Sequence, residues 1–130
     1  MSIEGGIERL AALVLLLTCL SHIAMPAVWH DLFSRIRQQG DLAGLAVAAI
    51  HLPLGLLIVA FHNVWSWPSV VVTLTGWALL LKGSLHLVSP RLTRRSLAIP
   101  GEGEKAVHRY RLSGLAMLPF VALLGWIALR

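Results

Sequence analysis

The sequence predicts an all-α membrane protein, a bundle of four transmembrane helices built from two tandem helical hairpins in the same orientation. Three observations support this fold class: an excess of apolar residues, four apolar stretches of spanning length, and a repeated motif. Hydrophobic residues make up 57% of the 130 residues and charged residues 13%, whereas a soluble domain has about 45–50% and about 25%. A small globule cannot bury such an excess. We therefore expect one integral membrane domain covering residues 1–130.

The four apolar stretches are each close to the roughly 20 residues that a helix needs to cross a bilayer. They are predicted at residues 7–26, 42–61, 69–89 and 112–129. Helices are expected because each satisfies its own backbone hydrogen bonds in lipid, and the alternation of a membrane β-strand is absent. Glu4 and Glu8 belong to an acidic leader that does not suit a signal peptide. The first stretch is therefore predicted to remain as a span, and no carboxylate is expected inside the spans.

The segments between the spans differ in charge, which predicts their orientation. Loop 27–41 is expected to form a short amphipathic turn at the headgroups, and 90–111 is read as the longest loop. Together these loops hold eight Lys and Arg residues, whereas the other side holds only Arg9 and Arg130. Basic loops stay in the cytoplasm, so both termini and the tryptophan-rich link 62–68 are predicted outside. The same clustering explains the net charge of +5 without nucleic acid.

A repeated motif suggests an internal duplication. LLLTCLSHIAMP at 15–26 and LLLKGSLHLVSP at 79–90 share three leucines, a histidine and a proline at equal spacing, and LAGLA at 42–46 matches LSGLA at 112–116. Six extra residues, PGEGEK, account for the change of offset between the two matches. The repeats are assigned to about 7–61 and 69–129, related by an axis along the membrane normal. The alternative is chance similarity between helices rich in Leu, Gly and Ala.

Glycines recur on one face of two predicted spans. Gly44 and Gly55 lie on the second span, and Gly114 and Gly125 lie on the fourth. Small residues let membrane helices approach closely, so these faces are predicted to make contacts within the chain or between subunits.

Lys82 is the charged residue predicted inside a span, on a polar stripe of the third. A charge at the bilayer centre costs about 3 kcal/mol on insertion scales. Lysine can reduce this cost by snorkelling to the headgroups along its four-carbon stem, and Lys82 is expected to do so. The alternative, functional interpretation is an interior cation facing a polar partner or a bound anion.

Histidines are the other candidate functional residues in the spans. His22 and His86 occupy equivalent places in the two repeats, and His51 and His62 lie on the glycine face of the second span. Facing imidazoles could ligate a haem iron or relay protons; the alternative is a hydrogen bond to a neighbouring helix. Because no catalytic or metal-binding motif appears, we expect neither an enzyme nor a bound cofactor or metal.

Three short motifs carry a resemblance: FHNVW at 61–65, TLTGW at 73–77, and LLKG at 80–83 before a proline. This quarter of the chain resembles a family of small bacterial integral membrane proteins that have four predicted spans and no assigned function. The resemblance implies a multi-pass protein of the bacterial inner membrane. It singles out His62, Asn63, Trp65, Trp77 and Lys82, although Asn63 could equally cap a helix and Trp65 could be an interface anchor.

The sequence leaves three functional hypotheses. The first is a structural or partner-binding membrane protein, whose partners are the lipid bilayer and a second copy or another membrane protein. The second is a transporter or channel component that uses Lys82 and the intramembrane histidines. The third, weaker one is a haem-binding redox protein.

Overall fold

The computed structural model describes residues 2–130, and this part of the chain is helical with short connections. Its elements are α1 (Ile3–Ala24), α2 (Pro26–Gln38), a 3-10 turn (Gly40–Leu42), α3 (Ala43–Phe61), α4 (Val70–Val88), α5 (Pro90–Ala98) and α6 (Gly103–Leu129). By length and composition α1, α3 with its preceding turn, α4 and α6 can each cross a membrane. The predicted all-α class with four apolar spans is confirmed.

The two short helices begin in the same way. Each begins at a proline, α2 at Pro26 and α5 at Pro90, where the missing N–H and the fixed φ suit the first helical turn. Ser89 caps α5 by accepting a hydrogen bond from the backbone N–H of Leu92. The sequence interpretation of 90–111 as one long loop is therefore wrong. Its first part is α5, and its last nine residues are the beginning of α6.

The connections group at two ends of the bundle. At one end the start of α1 and the end of α6 meet the link between α3 and α4, where Glu8 contacts both His62 and Arg130. At the other end lie α2, α5 and the connections that follow them. Arg37 pairs there with Glu102 at 2.8 Å, and Arg94 pairs with Asp41. The termini and the 62–69 link thus share one end, and the basic segments share the other.

The spans pack mainly in two pairs, α3 with α4 and α1 with α6. Glycines set the closest approaches in both pairs, because an added Cβ would collide with the neighbouring helix. A Cβ on Gly55 would lie 2.7 Å from the Leu80 nitrogen, and a Cβ on Gly114 would lie 2.8 Å from the Cβ of His22. Gly44 similarly faces the carbonyl oxygen of His86. Three of the four predicted packing glycines are therefore used inside one chain.

Each pair joins a span of the first predicted repeat to a span of the second. Gly44 of α3 faces His86 of α4, and Gly114 of α6 faces His22 of α1. These glycines and histidines occupy equivalent places in the repeated motifs. The tight contacts are therefore matched across the two halves of the chain.

Apolar side chains seal the end of the bundle that holds the termini. Ile7, Ala11, Ile58, Val72 and Leu124 belong to one buried cluster that draws on all four spans. At the opposite end the corresponding space between the spans is only partly filled. The fold therefore has a closed core near the termini and a cavity towards α2 and α5.

Candidate functional site

The cavity has a volume of about 430 Å³, within the range of about 300–1,000 Å³ that is usual for ligand sites. Its deeper wall is apolar and includes Val14, Leu15, Leu54 and Leu79. All four spans contribute to the lining, and α2 and α5 border it at the end of the bundle. The site thus has an apolar interior, and its end faces the short helices.

Four of the predicted polar residues meet in this cavity. His22 comes from α1, His51 from α3, and Lys82 and His86 from α4. The sequence motifs indicated each residue separately, whereas the packing of the helices brings them to a common space. These four side chains therefore line one cavity, although they come from three different helices.

Lys82 lies at the rim of the cavity. Its side chain is exposed rather than packed into the core, and it also borders a shallow apolar depression with Leu81, Leu85 and Leu92. Among residues 2–130, no carboxylate oxygen lies within 4.0 Å of its Nζ, and no hydrogen bond to Nζ is present. Lys82 thus brings a cation without a protein counter-charge to an apolar cavity.

Backbone hydrogen bonds orient two of the histidines. Nδ1 of His51 lies 2.8 Å from the carbonyl oxygen of Val47, and Nδ1 of His22 lies 2.8 Å from that of Thr18. A carbonyl oxygen can only accept, so Nδ1 carries the hydrogen in both rings. Nε2 of each neutral ring then has a free lone pair, and no described residue hydrogen-bonds to it.

His86 is held in a related way by a threonine. Its Nδ1 lies 3.1 Å from Oγ1 of Thr93, and that hydroxyl donates to the backbone oxygen of His86, also at 3.1 Å. Because the hydroxyl hydrogen is used, Nδ1 of His86 donates to Thr93. Thr93 is buried at 1% exposure, so this contact fixes the ring. We call His51, Lys82 and His86 the cavity cluster, since they are the polar side chains that α3 and α4 contribute to the lining.

Aromatic rings form the wall of the cavity beside α2. His22 stacks on Trp29 with ring centroids 4.1 Å apart, and Phe33 stacks between Trp29 and Tyr110 at 5.9 Å from each. The indole N–H of Trp29 donates to Ser21 at 2.9 Å. This ladder ties α1, α2 and α6 together and gives the rim a flat, polarizable surface.

The histidines are potential metal ligands, and zinc sites in proteins generally use three or four such side chains. Within residues 2–130, no group of three or more His, Cys, Asp or Glu side chains is placed to hold a metal ion. The rings in the cavity are instead separate polar groups, each with one nitrogen already bonded. This arrangement suits contact with a ligand better than shared coordination.

A second polar cluster lies at the sealed end of the bundle. His62 is fully buried, with Nε2 3.2 Å from Oε1 of Glu8 and Nδ1 3.1 Å from Oγ1 of Thr73. Ser69 donates to the same oxygen of Glu8, and Arg130 donates to Ser69. We call these five residues the terminal cluster. It joins α1, α3, α4 and the end of α6.

Thr73 also fixes the link between α3 and α4. Its hydroxyl donates to the carbonyl oxygen of Val64 at 2.7 Å and accepts from the Val64 N–H at 3.1 Å. His62 is therefore part of a network that holds a backbone turn as well as a carboxylate. Each residue of this network has a protein partner, whereas Lys82 has none among residues 2–130.

The remaining predicted residues lie outside both clusters. Trp65 is 60% exposed and donates to Asn63 at 2.8 Å, and Trp77 is 45% exposed on α4. His62, not Asn63, is the residue that caps α3. A Cβ added at Gly125 would meet no atom of a neighbouring element within 4 Å, and Gly125 lines a separate apolar groove between α1 and α6.

Sequence reasoning missed the importance of Glu8. It placed this residue in an acidic leader, but α1 begins at Ile3 and the Glu8 side chain is only 12% exposed. The expectation of no carboxylate inside the spans is therefore wrong. A signal was available, because Ile7 and Ala11 continue an apolar helical face through this position. Thr73 and Thr93 carried no comparable signal, since threonine is ordinary in a membrane helix.

Comparison with known proteins gives no match, either to a protein-family model, to a curated protein or to a solved structure.

Proposed function

We propose that this membrane protein binds an amphiphilic anion in the cavity, as a carrier or transporter component. The observation that carries the proposal is the position of Lys82, a cation without a protein partner at the rim of an apolar cavity between the spans. A bound anion would supply the missing counter-charge. This corresponds to the second hypothesis from the sequence.

The energetics of a charge in a bilayer support this proposal. An unpaired lysine in a span is costly, and charged groups inside membranes generally pair or line a path for substrates. The same chain pairs Glu8 with His62, Ser69 and Arg130 at its other end. A fold that satisfies one set of buried charges and leaves Lys82 open is suited to an external counter-ion.

The lining favours an anion that carries an apolar chain. Val14, Leu15, Leu54 and Leu79 present hydrocarbon to the deeper space, whereas Lys82 stands at the rim. Burial of apolar surface supplies about 25 cal/mol per Å², and the ammonium group selects the charge of the head. A small inorganic anion would use only Lys82, and a neutral amphiphile would use only the wall.

The test is the binding of decanesulfonate to the protein in nanodiscs of neutral lipid, measured by titration calorimetry against empty nanodiscs. Lys82→Ala should weaken binding at least about tenfold, on the scale of one lost charged contact, and Lys82→Arg should retain most of it. Lys105→Ala is the matched control, because Lys105 is the other lysine and is exposed near the start of α6. It should leave the affinity unchanged.

Other ligands test the contributions of the negative charge and the apolar chain separately. Decanol and methanesulfonate should bind more weakly than decanesulfonate, because each lacks either the charge or the chain. Nanodiscs of anionic lipid should reduce the affinity if a bilayer lipid competes for the site. Equal binding to Lys82→Ala and to the parent protein would overturn the proposal and favour a snorkelling lysine. A Soret band in the purified protein would assign the cavity to haem instead.

Self-association through α1 and α6 is a second candidate function, favoured by Gly125. This glycine lines an apolar groove of about 480 Å³ with Leu13, Leu16 and Leu118, whereas Gly44, Gly55 and Gly114 are covered within the chain. A second copy could place a helix there. Crosslinking in native membranes should give a dimer that Gly125→Leu abolishes. A monomer in both samples would contradict it.

We also propose an origin by duplication and an orientation with the basic end in the cytoplasm of a bacterial inner membrane. The matched contacts of Gly44 with His86 and of Gly114 with His22 support the duplication. The eight Lys and Arg residues of the loops support the orientation. Superposition of residues 7–61 on 69–129 tests the first proposal, and reporter fusions at both termini test the second.

A further inference from the structure

We propose that the anion is taken up together with a proton, and that His51 accepts this proton on Nε2. The inference rests on the proposed function and adds that anion binding is coupled to the uptake of a proton. It follows from the way in which the backbone and Lys82 surround the His51 ring. The ligand class remains an amphiphilic anion, and the co-substrate is a proton from water.

The hydrogen bond of His51 decides which nitrogen can receive a proton. Nδ1 lies 2.8 Å from the Val47 carbonyl oxygen one helical turn earlier, and it already carries a hydrogen. Nε2 has no hydrogen-bond partner among the described residues, and the side chain is part of the cavity lining. In its neutral form His51 thus offers a lone pair, which repels an anion. In its protonated form it offers an N–H donor, which binds one.

The groups that line the cavity with His51 include a cation and no anion. The titratable groups that line it are His22 from α1, Lys82 and His86 from α4, and Tyr110 from α6; the lining residues of α2 and α5 do not titrate. No carboxylate is among them. A second positive charge beside Lys82 is unfavourable until an anion arrives, because like charges at short range repel in a medium of low dielectric constant.

Binding of the anion reverses this balance. The negative head contacts Lys82 and attracts a proton to His51, whose new Nε2–H donates to the anion. One O–H bond of a hydronium ion breaks and one N–H bond forms on His51, no other covalent bond changes, and the complex gains no net charge. By linkage, affinity must rise as the pH falls through the range in which histidine titrates, about pH 5 to 8. One coupled proton gives at most about a tenfold change in affinity per pH unit.

His51 is a better proton acceptor for this purpose than the other two rings of the cavity. His22 has the same backbone hydrogen bond but is stacked against Trp29. His86 is held by a buried hydroxyl and is only 5% exposed. His51 shares the cavity lining with Lys82 of the facing helix, and it is half-buried where His86 is buried. His51 is therefore the histidine of this cavity to which we assign the proton.

The experiment is titration of decanesulfonate into the protein in neutral nanodiscs, in two buffers of different ionisation enthalpy. Decanesulfonate stays ionised throughout this pH range, so any proton taken up from the buffer goes to the protein. The parent protein should take up a fraction of a proton per anion that is largest between the pH at which His51 titrates in the free protein and the higher pH at which it titrates in the complex. In His51→Asn, whose amide can keep the contact with Val47, proton uptake should disappear. Binding should persist with an affinity that no longer depends on pH.

His108→Asn is the matched control, because His108 is exposed on α6 and does not line the cavity; it should behave as the parent protein. Proton uptake that survives in His51→Asn, or that disappears in His22→Asn or His86→Asn instead, overturns the assignment to His51. Binding of the anion with no proton uptake in the parent protein overturns the coupling and leaves the proposed function intact. The absence of any binding contradicts the proposed function itself.

Discussion

The terminal cluster and the cavity cluster differ in how many of their polar groups have a partner within the protein. In the terminal cluster, both ring nitrogens of His62 have protein partners, and Glu8 is bonded to His62 and Ser69. In the cavity cluster, each ring has only Nδ1 bonded, and Lys82 has no protein counter-charge among residues 2–130. The first cluster is complete within the chain, whereas the second is completed only by something from outside.

This comparison also shows how the fold uses its two ends. The terminal cluster sits beside the buried apolar cluster of Ile7, Ile58 and Leu124, where a polar network ties the ends of the chain to the 62–69 link. The cavity cluster lines the open space between the spans, which α2 and α5 border. Substitutions in the terminal cluster should therefore reduce stability, and substitutions in the cavity cluster should change binding with little effect on stability.

The largest effect on stability is expected for Glu8→Ala. Removal of this carboxylate leaves His62 and Ser69 without a shared acceptor, and loss of one partner of a buried polar pair costs about 3 kcal/mol. Thermal unfolding in detergent should show the loss. Glu4→Ala is the matched control, since Glu4 is exposed one turn earlier on α1, and it should cost below about 1 kcal/mol. Equal losses in the two variants would contradict a structural role for Glu8.

An intermediate effect is expected for Thr73→Val, which keeps the shape of the side chain. It removes the acceptor for Nδ1 of His62 and for the N–H of Val64, at a cost of about 2 kcal/mol in unfolding free energy. Thr75→Val is the control on the same helix, because its hydroxyl only donates to the Val71 carbonyl. If Thr73→Val is as stable as Thr75→Val, the hydrogen bonds of Thr73 do not stabilise the fold as we expect.

The smallest effect is expected for Arg130→Ala. Its guanidinium is 41% exposed and lies 3.7 Å from Glu8, so screening limits its contribution to about 0.5 kcal/mol. The unfolding temperature should decrease only slightly, and the decrease should shrink further in high salt. A loss as large as that of Glu8→Ala would show that the arginine, rather than His62, is the main partner of the carboxylate.

The sequence predicts the spans well because their signal is local. Apolar length and the positions of the charges identify all four membrane helices, and the repeated motif identifies Gly44, Gly114, His22 and His86 before any contact is known. The sequence predicts a loop where α5 lies, because the six turn-forming residues at 100–105 are typical of a loop. The Ser89–Pro90 pair, a helix-start signal, carried the correct information.

The polar contacts could be predicted only in part, because they depend on which helices pack together. His51 and Lys82 lie on neighbouring spans, and only the packing of α3 on α4 brings both to one cavity. Glu8 and His62 are 54 positions apart, and nothing in either local sequence indicates the other. Lys82 is unusual already in the sequence, as a charged residue in a predicted span, but its lack of a counter-charge in the described chain is a property of the fold.

The most direct test of the contrast between the clusters is the shift in unfolding temperature that decanesulfonate causes in three proteins. A ligand that binds only the folded state stabilises it by RT ln(1 + [L]/Kd). The parent protein and the less stable Glu8→Gln variant should gain similar increments, whereas Lys82→Ala should start as stable as the parent and gain almost nothing. A full increment in Lys82→Ala, or a loss of the increment in Glu8→Gln, would contradict the account.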